Sequence, residues 1–312
     1  MVSGSELGLG HGKIILLGEH SVVYGRPAIA AGFTPGCSAS AETHTVDTLS
    51  VEPWGVQVEA ARSEADAERE LLRRAFAEIC DHYHAPRAAL HVRAHLQIPS
   101  GAGLGGSAAL SVAILRAMDA QLSRTSNHDE LLAASMAWER VFHGNPSGID
   151  SAMAISGGLA LYRRGEPLEP IRMSRTVRLI VANSGERAST KDMVASVARQ
   201  HERSRALAEQ RFDAIAALVM NGRTALKTGD HKSLGQLMDL NQALLNAFLL
   251  STNKLEHMCR LARSSGALGA KLTGSGGGGC IIALAPDPQV GQDITRALRD
   301  GGFEAFSVEV TA

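Results

Sequence analysis

Residues 99–109 read Pro99-Ser100-Gly101-Ala102-Gly103-Leu104-Gly105-Gly106-Ser107-Ala108-Ala109, and the elements around them decide the fold. Upstream, Leu90, Val92, Ala94, Leu96 and Ile98 alternate with polar or larger residues, the period of a strand with one buried face. Downstream, an apolar, alanine-rich run predicts a helix from Gly105 to Leu122. The glycines between strand and helix give the backbone access to positive φ and a close approach to a ligand. The helix aims its free N–H groups and positive dipole end at the same spot, which makes an anion site with phosphate the obvious ligand. A flexible loop before a core helix is the alternative reading. The patterned strand and helix on either side argue against it.

Gly101, Gly103 and Gly106 also satisfy G-x-G-x-x-G, so a dinucleotide site is the natural rival. That site needs a second parallel strand after the helix, ending in an acidic residue about twenty positions on. Here the helix leads into the polar loop Ser123–Asn127 and then another helix, so the rival fails on context. A Walker A loop fails because no G-K-[ST] follows, and the H-R-D and D-F-G marks of protein kinases are missing.

Outward from this segment, Lys13–Leu17 and Ala28–Phe33 read as short strands, and Thr48–Glu59 as a hairpin turning near Pro53–Gly55. Leu71, Leu72, Ala75, Phe76 and Ile79 form a stripe at helical spacing within Glu64–His82. Asn127 with Glu130 resembles a capping box and starts a helix running to Phe142, which Gly144–Gly148 breaks. After Gly157–Gly158 and a polar loop, the strand Val177–Ala182 opens a second half. Long helical stretches lie between Thr190 and Arg263, and strand, glycine turn, strand, helix and strand follow from Ala267 to Val310. The expected division is an N-terminal domain over 1–177 and a C-terminal domain over 178–312.

The chain has 312 residues, enough for two cores. Its 31 basic and 32 acidic residues, net −1, suggest neither a nucleic-acid footprint nor a membrane-binding face. The longest apolar stretch, Ala108–Leu115, contains a serine and falls well short of a membrane span. The first six residues carry neither a basic region nor an apolar signal core, so a cytoplasmic location is expected. Cys37, Cys80, Cys259 and Cys280 are scattered without a C-x-x-C pair and read as reduced thiols. His82 and His84 flank Tyr83 with no further ligand nearby, and read as surface histidines.

Further segments carry chemistry. In Gly10–Gly25, Lys13 opens an apolar strand and Glu19-His20 lie just past its end. In Glu139–Asp150, Glu139 sits in a last helical turn, the unfavourable end of the dipole for a carboxylate. A cation such as Mg²⁺ is one partner for it; solvation beside a basic neighbour is the other reading. Asp150 follows Gly144-Asn145-Pro146-Ser147-Gly148 and opens an apolar run, so a half-buried carboxylate is expected, with Lys13 a candidate partner. Gly269–Cys280 contains Thr273 and a glycine run inside a strand–turn–strand unit, which favours close backbone approach to a ligand over a linker.

Together these segments resemble, in order and spacing, the signature motifs of the GHMP kinases, ATP-dependent enzymes acting on galactose, homoserine, mevalonate or phosphomevalonate. Gly12–Gly25 and His143–Asp150 are similar to the branch whose acceptor is mevalonate. The resemblance implies an α+β fold of two domains, an N-terminal ribosomal-protein-S5-like domain with a left-handed β-α-β crossover and a ferredoxin-like C-terminal domain, with the active site in the cleft between them. It implies ATP and mevalonate as substrates, 5-phosphomevalonate on the way to isoprenoids as product, and Mg²⁺ as cofactor; a homodimer is compatible with it. By the same carry-over Asp150 and Lys13 are catalytic and also touch the acceptor, together with Glu19, His20, Ser147 and Thr273. Pro99, Gly101, Ala102, Gly103, Leu104, Gly105, Gly106, Ser107 and Ala108 wrap the ATP phosphates, and Ser107 and Glu139 hold the metal. The sequence departs from the pattern at Gly106, where a serine is usual, and at Gly10-His11, where Ala-Pro is usual. Two other functions stay open: a phosphomevalonate kinase using Arg187 and Lys191 for the substrate phosphate, and a sensor that binds without turnover, against which intact Lys13, Ser107, Glu139 and Asp150 speak.

Overall fold

The computed structural model describes residues 7–83, 87–99, 102–143, 146–186 and 189–310, with Pro35 by its backbone only. The chain forms two compact units. One holds Met1–Lys13, Thr34–Pro99 and Gly105–Gly157, the other Ile14–Phe33, Ser100–Leu104 and Gly158–Ala312. Strands β1 (Gly8–Leu17) and β2 (Ala28–His44) run through both.

The first unit adds β3 (Thr48–Glu52), β4 (Val56–Glu59), α1 (Ala67–His82), β5 (Ala89–Leu96), α2 (Gly106–Gln121), α3 (His128–His143) and α4 (Ile149–Ser156). Its strands are ordered β4-β3-β5-β2, and β1 also pairs with β2. The expected hairpin is β3 against β4, antiparallel with Leu49 opposite Val58. Strand β3 also runs parallel to β5, with Leu49 opposite Val92, and β2 runs antiparallel to β5, with Ala39 opposite Ala94. The alternation read in β5 places Leu90, Val92, Ala94 and Leu96 in the core. Asp66 caps α1 by accepting from Arg69 N, and Asn127 and Glu130 bond each other's backbone N–H groups as the capping box requires.

Strand β2 is much longer than the expected Ala28–Phe33, because Pro35-Gly36 does not end it. Gly36 lies against β1 so closely that a Cβ there would stand 2.1 Å from Gly10 O. Strand β1 in turn lies on α2: a Cβ at Gly8 would meet Ala113 O at 2.3 Å, and one at Gly10 would meet Ala109 O at 2.0 Å. Glycine at 10, where the resemblance leads one to expect alanine, is thus a packing requirement between strand and helix. The apolar run after Asp150 is helix α4; it starts after Gly148, whose φ of 88° few other residues tolerate.

In the second unit the first half of β2 pairs antiparallel with β6 (Gly158–Tyr162), Ala30 opposite Ala160, and β6 pairs with the short β7 (Glu169–Pro170). Then come β8 (Val177–Asn183), α5 (Thr190–Arg203), α6 (Arg205–Thr228), α7 (His231–Ala247), α8 (Asn253–Ser264), β9 (Gly269–Thr273), β10 (Cys280–Ala285), α9 (Pro288–Asp300) and β11 (Glu304–Val310). A second sheet, ordered β11-β8-β10-β9, is antiparallel throughout, with Val181 between Phe306 and Ile282. Strands β8 and β10 are apolar on both faces, as for central strands covered twice. Asp230, Thr252 and Asp287 cap α7, α8 and α9 through their side chains, each worth about 1 kcal/mol. Among the described residues no helix is long and apolar enough to cross a membrane.

Candidate active site

In the first unit, α2 starts at Gly105, which holds φ 72° and offers no side chain to cap the helix. Its first-turn N–H groups are thus left without a capping side chain. A Cβ at Gly105 would stand 3.1 Å from Lys13 Cβ, so this glycine lets β1 bring Lys13 beside the helix start. Side chains of Leu104 and Ala108 are buried, as is that of Ala102, so these residues can present only backbone to a ligand. Gly103 is exposed and Pro99 half-buried; Gly101 lies outside the described residues. Gly106 is not crowded: the nearest atoms to a Cβ there are side-chain carbons of Ile98 and Leu96 at 3.6 and 3.7 Å.

Lys13 Nζ stands 2.7 Å from Asp150 Oδ1, with the lysine side chain 6% exposed and the aspartate 38%. Asp150 lies in the first turn of α4, where the helix dipole favours a carboxylate. Its Oδ1 is itself buried without a hydrogen-bond partner among the described residues, so the ammonium charge is what compensates it. The exposure of Asp150 therefore belongs to its other atoms. Ser147 is exposed just ahead of α4.

Ser107, in the first turn of α2, donates to Glu139 Oε1 at 2.5 Å and accepts from Trp138 Nε1 at 2.9 Å. Glu139 is only 2% exposed, which removes the solvated reading. Burial pushes its pKa up to about 7, and the Asp150 charge adds to this, while the Ser107 hydrogen bond and Lys13 pull the other way. Besides Ser107, His143 Nε2 lies 3.7 Å from its Oε2. A buried carboxylate with so little positive compensation, next to a hydroxyl, is an oxygen donor set that fits a hard cation such as Mg²⁺. Among the described residues no group of three or more His, Cys, Asp or Glu is placed to hold a metal, so such an ion would draw its remaining ligands from phosphate and water.

The second unit, to which Ala102, Gly103 and Leu104 belong, also holds Glu19, His20 and Thr273. Glu19 is buried; its Oε1 takes the Lys271 ammonium and its Oε2 accepts from Asn241 Nδ2 at 3.4 Å. Lys271 is fully buried and also donates to Leu272 O at 2.6 Å. Burial lowers its pKa and the Glu19 charge draws it back. His20 has φ 59°, and its Nε2 is 2.8 Å from Ser275 O. A carbonyl only accepts, so Nε2 carries a proton; burial lowers the ring's pKa, and the hydrogen bond to Ser275 O draws it partly back. Thr273 Oγ1 donates to Ile15 O and accepts from Ile15 N, both at 3.1 Å, which fastens β9 to β1 within this unit. The glycine run is crowded by protein: a Cβ at Gly276 would meet Leu250 O at 2.4 Å, one at Gly278 Glu186 O at 2.7 Å, and one at Gly279 Ala102 O at 3.3 Å.

Sequence reasoning missed Lys271, Asn241 and Trp138. A signal for Lys271 was present, a charge in a five-residue strand that is otherwise apolar or small and buried throughout. Trp138 and Asn241 carried none, being ordinary core positions of amphipathic helices. Of the residues offered for a substrate phosphate, Lys191 is exposed at the start of α5, and Arg187 lies outside the described residues, as does His84.

The N-terminal domain model of the GHMP kinases matches residues 70–158, and the C-terminal model matches 223–303. The chain is 34% identical over 309 residues to a mevalonate kinase of Pyrococcus horikoshii, covering 93% of this chain and 91% of that one. It superposes on the L. major mevalonate kinase crystallised with R-mevalonate with a TM-score of 0.86 at 30% identity, covering 98% and 96% of the two chains. The Methanococcus jannaschii mevalonate kinase, 20% identical, shares the fold with a TM-score of 0.88 over the full length of both chains. With both family domains matched and relatives alike over nearly their whole length, the chain belongs to the GHMP kinases and has their two-domain mixed α/β fold.

Proposed function

We propose that the protein transfers the γ-phosphoryl group of ATP to the C5 hydroxyl of mevalonate, giving 5-phosphomevalonate and ADP. The carrying observation is the Lys13–Asp150 ion pair, close enough to the Ser107–Glu139 pair that both charges act on the ionisation of Glu139. The likeness to the mevalonate kinases named above chooses the acceptor.

Phosphoryl transfer asks an enzyme mainly for positioning and charge neutralisation. Asp150, anchored through Oδ1, presents its remaining carboxylate surface to the acceptor hydroxyl and takes that hydroxyl's hydrogen bond. Lys13 fixes the carboxylate and lowers the pKa of a hydroxyl placed beside it. The N–H groups at the start of α2 hold phosphate oxygens, with Ala102, Leu104 and Ala108, whose side chains are buried, supplying backbone there. Ser107 and Glu139 would hold Mg²⁺, which when bound neutralises triphosphate charge. Glu19, His20, Ser147 and Thr273 are assigned to the acceptor side.

The test is a panel of mevalonate, phosphomevalonate, galactose and homoserine with MgATP. Mevalonate should be phosphorylated far faster than the others. Preference for phosphomevalonate would move the chain to the neighbouring reaction, and turnover of none of them would favour the sensor reading.

A further inference from the structure

Helices α2, α3 and α4 carry Ser107, Glu139 and Asp150 respectively, and they pack pairwise on one another. Each also carries one buried serine at the contact. Ser111 Oγ lies 2.7 Å from Ser135 Oγ, and Ser135 Oγ donates to Ser151 Oγ at 2.8 Å. Because Ser135 spends its one proton on Ser151, Ser111 donates to Ser135, and Ala108 O, 2.9 Å from Ser111 Oγ, is the alternative acceptor for that same proton. All three side chains are at most 1% exposed.

The sequence positions of these serines matter more than their burial. Ser111 is four residues after Ser107, one turn along the same face of α2. Ser135 is four residues before Glu139, one turn back along α3. Ser151 is the residue after Asp150. Each functional group thus stands at most one helical turn from a hydroxyl that is bonded to the neighbouring helix. Apolar side chains at such contacts can slide by fractions of an ångström at small cost, because dispersion is non-directional. A hydrogen bond between buried hydroxyls is tightly bounded in distance and angle, and breaking it leaves unsatisfied polar atoms. An alanine row would have packed these small-residue contacts without that penalty. The serine row costs helix propensity relative to alanine on each helix, so its return lies in geometry rather than in packing.

We propose that the Ser111–Ser135–Ser151 row is a positioning element that sets the relative register of α2, α3 and α4, and through them the spacing of Ser107, Glu139 and Asp150. Ser135 is its centre, since it alone among the three bonds to both other helices. The three are positioning residues; none touches a reacting atom. The inference rests on the assignment of Ser107, Glu139 and Asp150 to the active site.

Ser135→Ala removes one oxygen without adding volume. It should lower kcat about tenfold, below the roughly hundredfold that a 1 Å misplacement of a reacting group can cost. KM for mevalonate should stay within about twofold, because the binding groups remain, and a purely structural role would change thermal stability without this split. If Ser135→Ala does not fold, Ser151→Ala, which removes one end of the row, should show the same split with a smaller loss. A second readout needs no turnover. In a Trp54→Phe background, where Trp54 is an exposed tryptophan, the indole N–H of Trp138 gives one proton resonance that reports its bond to Ser107. Ser107→Ala should move that resonance, and Ser135→Ala should move it in the same direction. A chain that phosphorylates none of the tested acceptors would defeat the functional reading, and the resonance would then still decide the proposal. The row is overturned by a kcat within twofold of wild type in an active enzyme, or by an unmoved resonance in an inactive one.

Discussion

Lys13 and Asp150 face each other at 2.7 Å across two elements far apart in sequence, and the two ends of that contact differ: the lysine is sealed in and the aspartate is open on one side. The asymmetry suits an anchored carboxylate with a free flank. Lys13→Met keeps the length and removes the charge, leaving Asp150 Oδ1 buried without its ammonium partner. We expect a fall in kcat on the order of 10²-fold with a smaller change in KM, since the charge matters most where charge develops. The double variant with Asp150→Asn should be much less than additively worse than the singles, as for residues in direct contact. Additive losses in kcat would mean that the two act independently.

Glu139 predicts a pH-dependent stability in the protein free of metal. Its folded pKa, about 7, lies above its ordinary value of 4.5, so the folded state binds the proton more tightly than the unfolded state. The proton-linked contribution is fully present below pH 4.5 and is lost as the pH rises through 7, a change of about 3 kcal/mol at 1.36 kcal/mol per pKa unit. Glu139→Gln has no such group. The stability difference between variant and wild type, by urea unfolding without metal, should therefore grow in the variant's favour from pH 5 to pH 8. Added Mg²⁺ should stabilise wild type at pH 8 and the variant much less. A difference that is flat with pH would mean that Glu139 is ionised throughout.

The buried Glu19–Lys271 pair predicts a large stability effect from a residue that no motif pointed to. Lys271→Met leaves the Glu19 carboxylate buried without its ammonium partner and should cost about 3–5 kcal/mol, the range for one half of a buried pair. Adding Glu19→Gln should recover part of that loss. A single variant as stable as wild type in chemical denaturation would mean that water reaches Glu19.

The sequence made the motif residues and the strand–loop–helix at 90–122 legible because each announces itself locally, through alternation, glycine and capping. The Asn127–Glu130 box is of the same kind. The length of β2 was hidden because Pro35-Gly36 reads as a break; only the crowding of Gly36 against β1 shows why glycine stands inside a strand. Likewise the glycine run at 274–279 reads only as close backbone approach to a ligand; that a side chain at Gly276 or Gly278 would meet the backbone carbonyls of Leu250 or Glu186 shows only in the packing. The burial of Glu139, the lysine under Glu19 and the serine row depend on which helices and strands meet, and periodicity along one element carries no such information.

Gly106 tests one departure from the family pattern. It sits in the first turn of α2 with no atom closer than 3.6 Å to a Cβ, so a serine fits without displacing Ile98 or Leu96. Gly106→Ser should raise stability by about 0.5 kcal/mol through helix propensity. If the family's usual hydroxyl reaches phosphate, the same variant should lower KM for ATP severalfold while leaving KM for mevalonate unchanged. An unchanged or higher KM for ATP would show that the backbone N–H groups of the loop already meet the phosphate fully.

The central claim is that Asp150 receives the C5 hydroxyl of mevalonate while ATP gives up its γ-phosphoryl group. The most direct measurement is kcat for 5-phosphomevalonate formation, followed by phosphorus NMR with saturating mevalonate and MgATP, in wild type and Asp150→Asn. The variant keeps size and polarity and removes the negative charge. The account predicts phosphorylation at C5 by wild type and a loss of about 10²-fold or more in the variant, the contribution of a positioned acid–base group. A variant rate within about threefold of wild type, well below that contribution, would contradict it and place the acceptor hydroxyl away from Asp150.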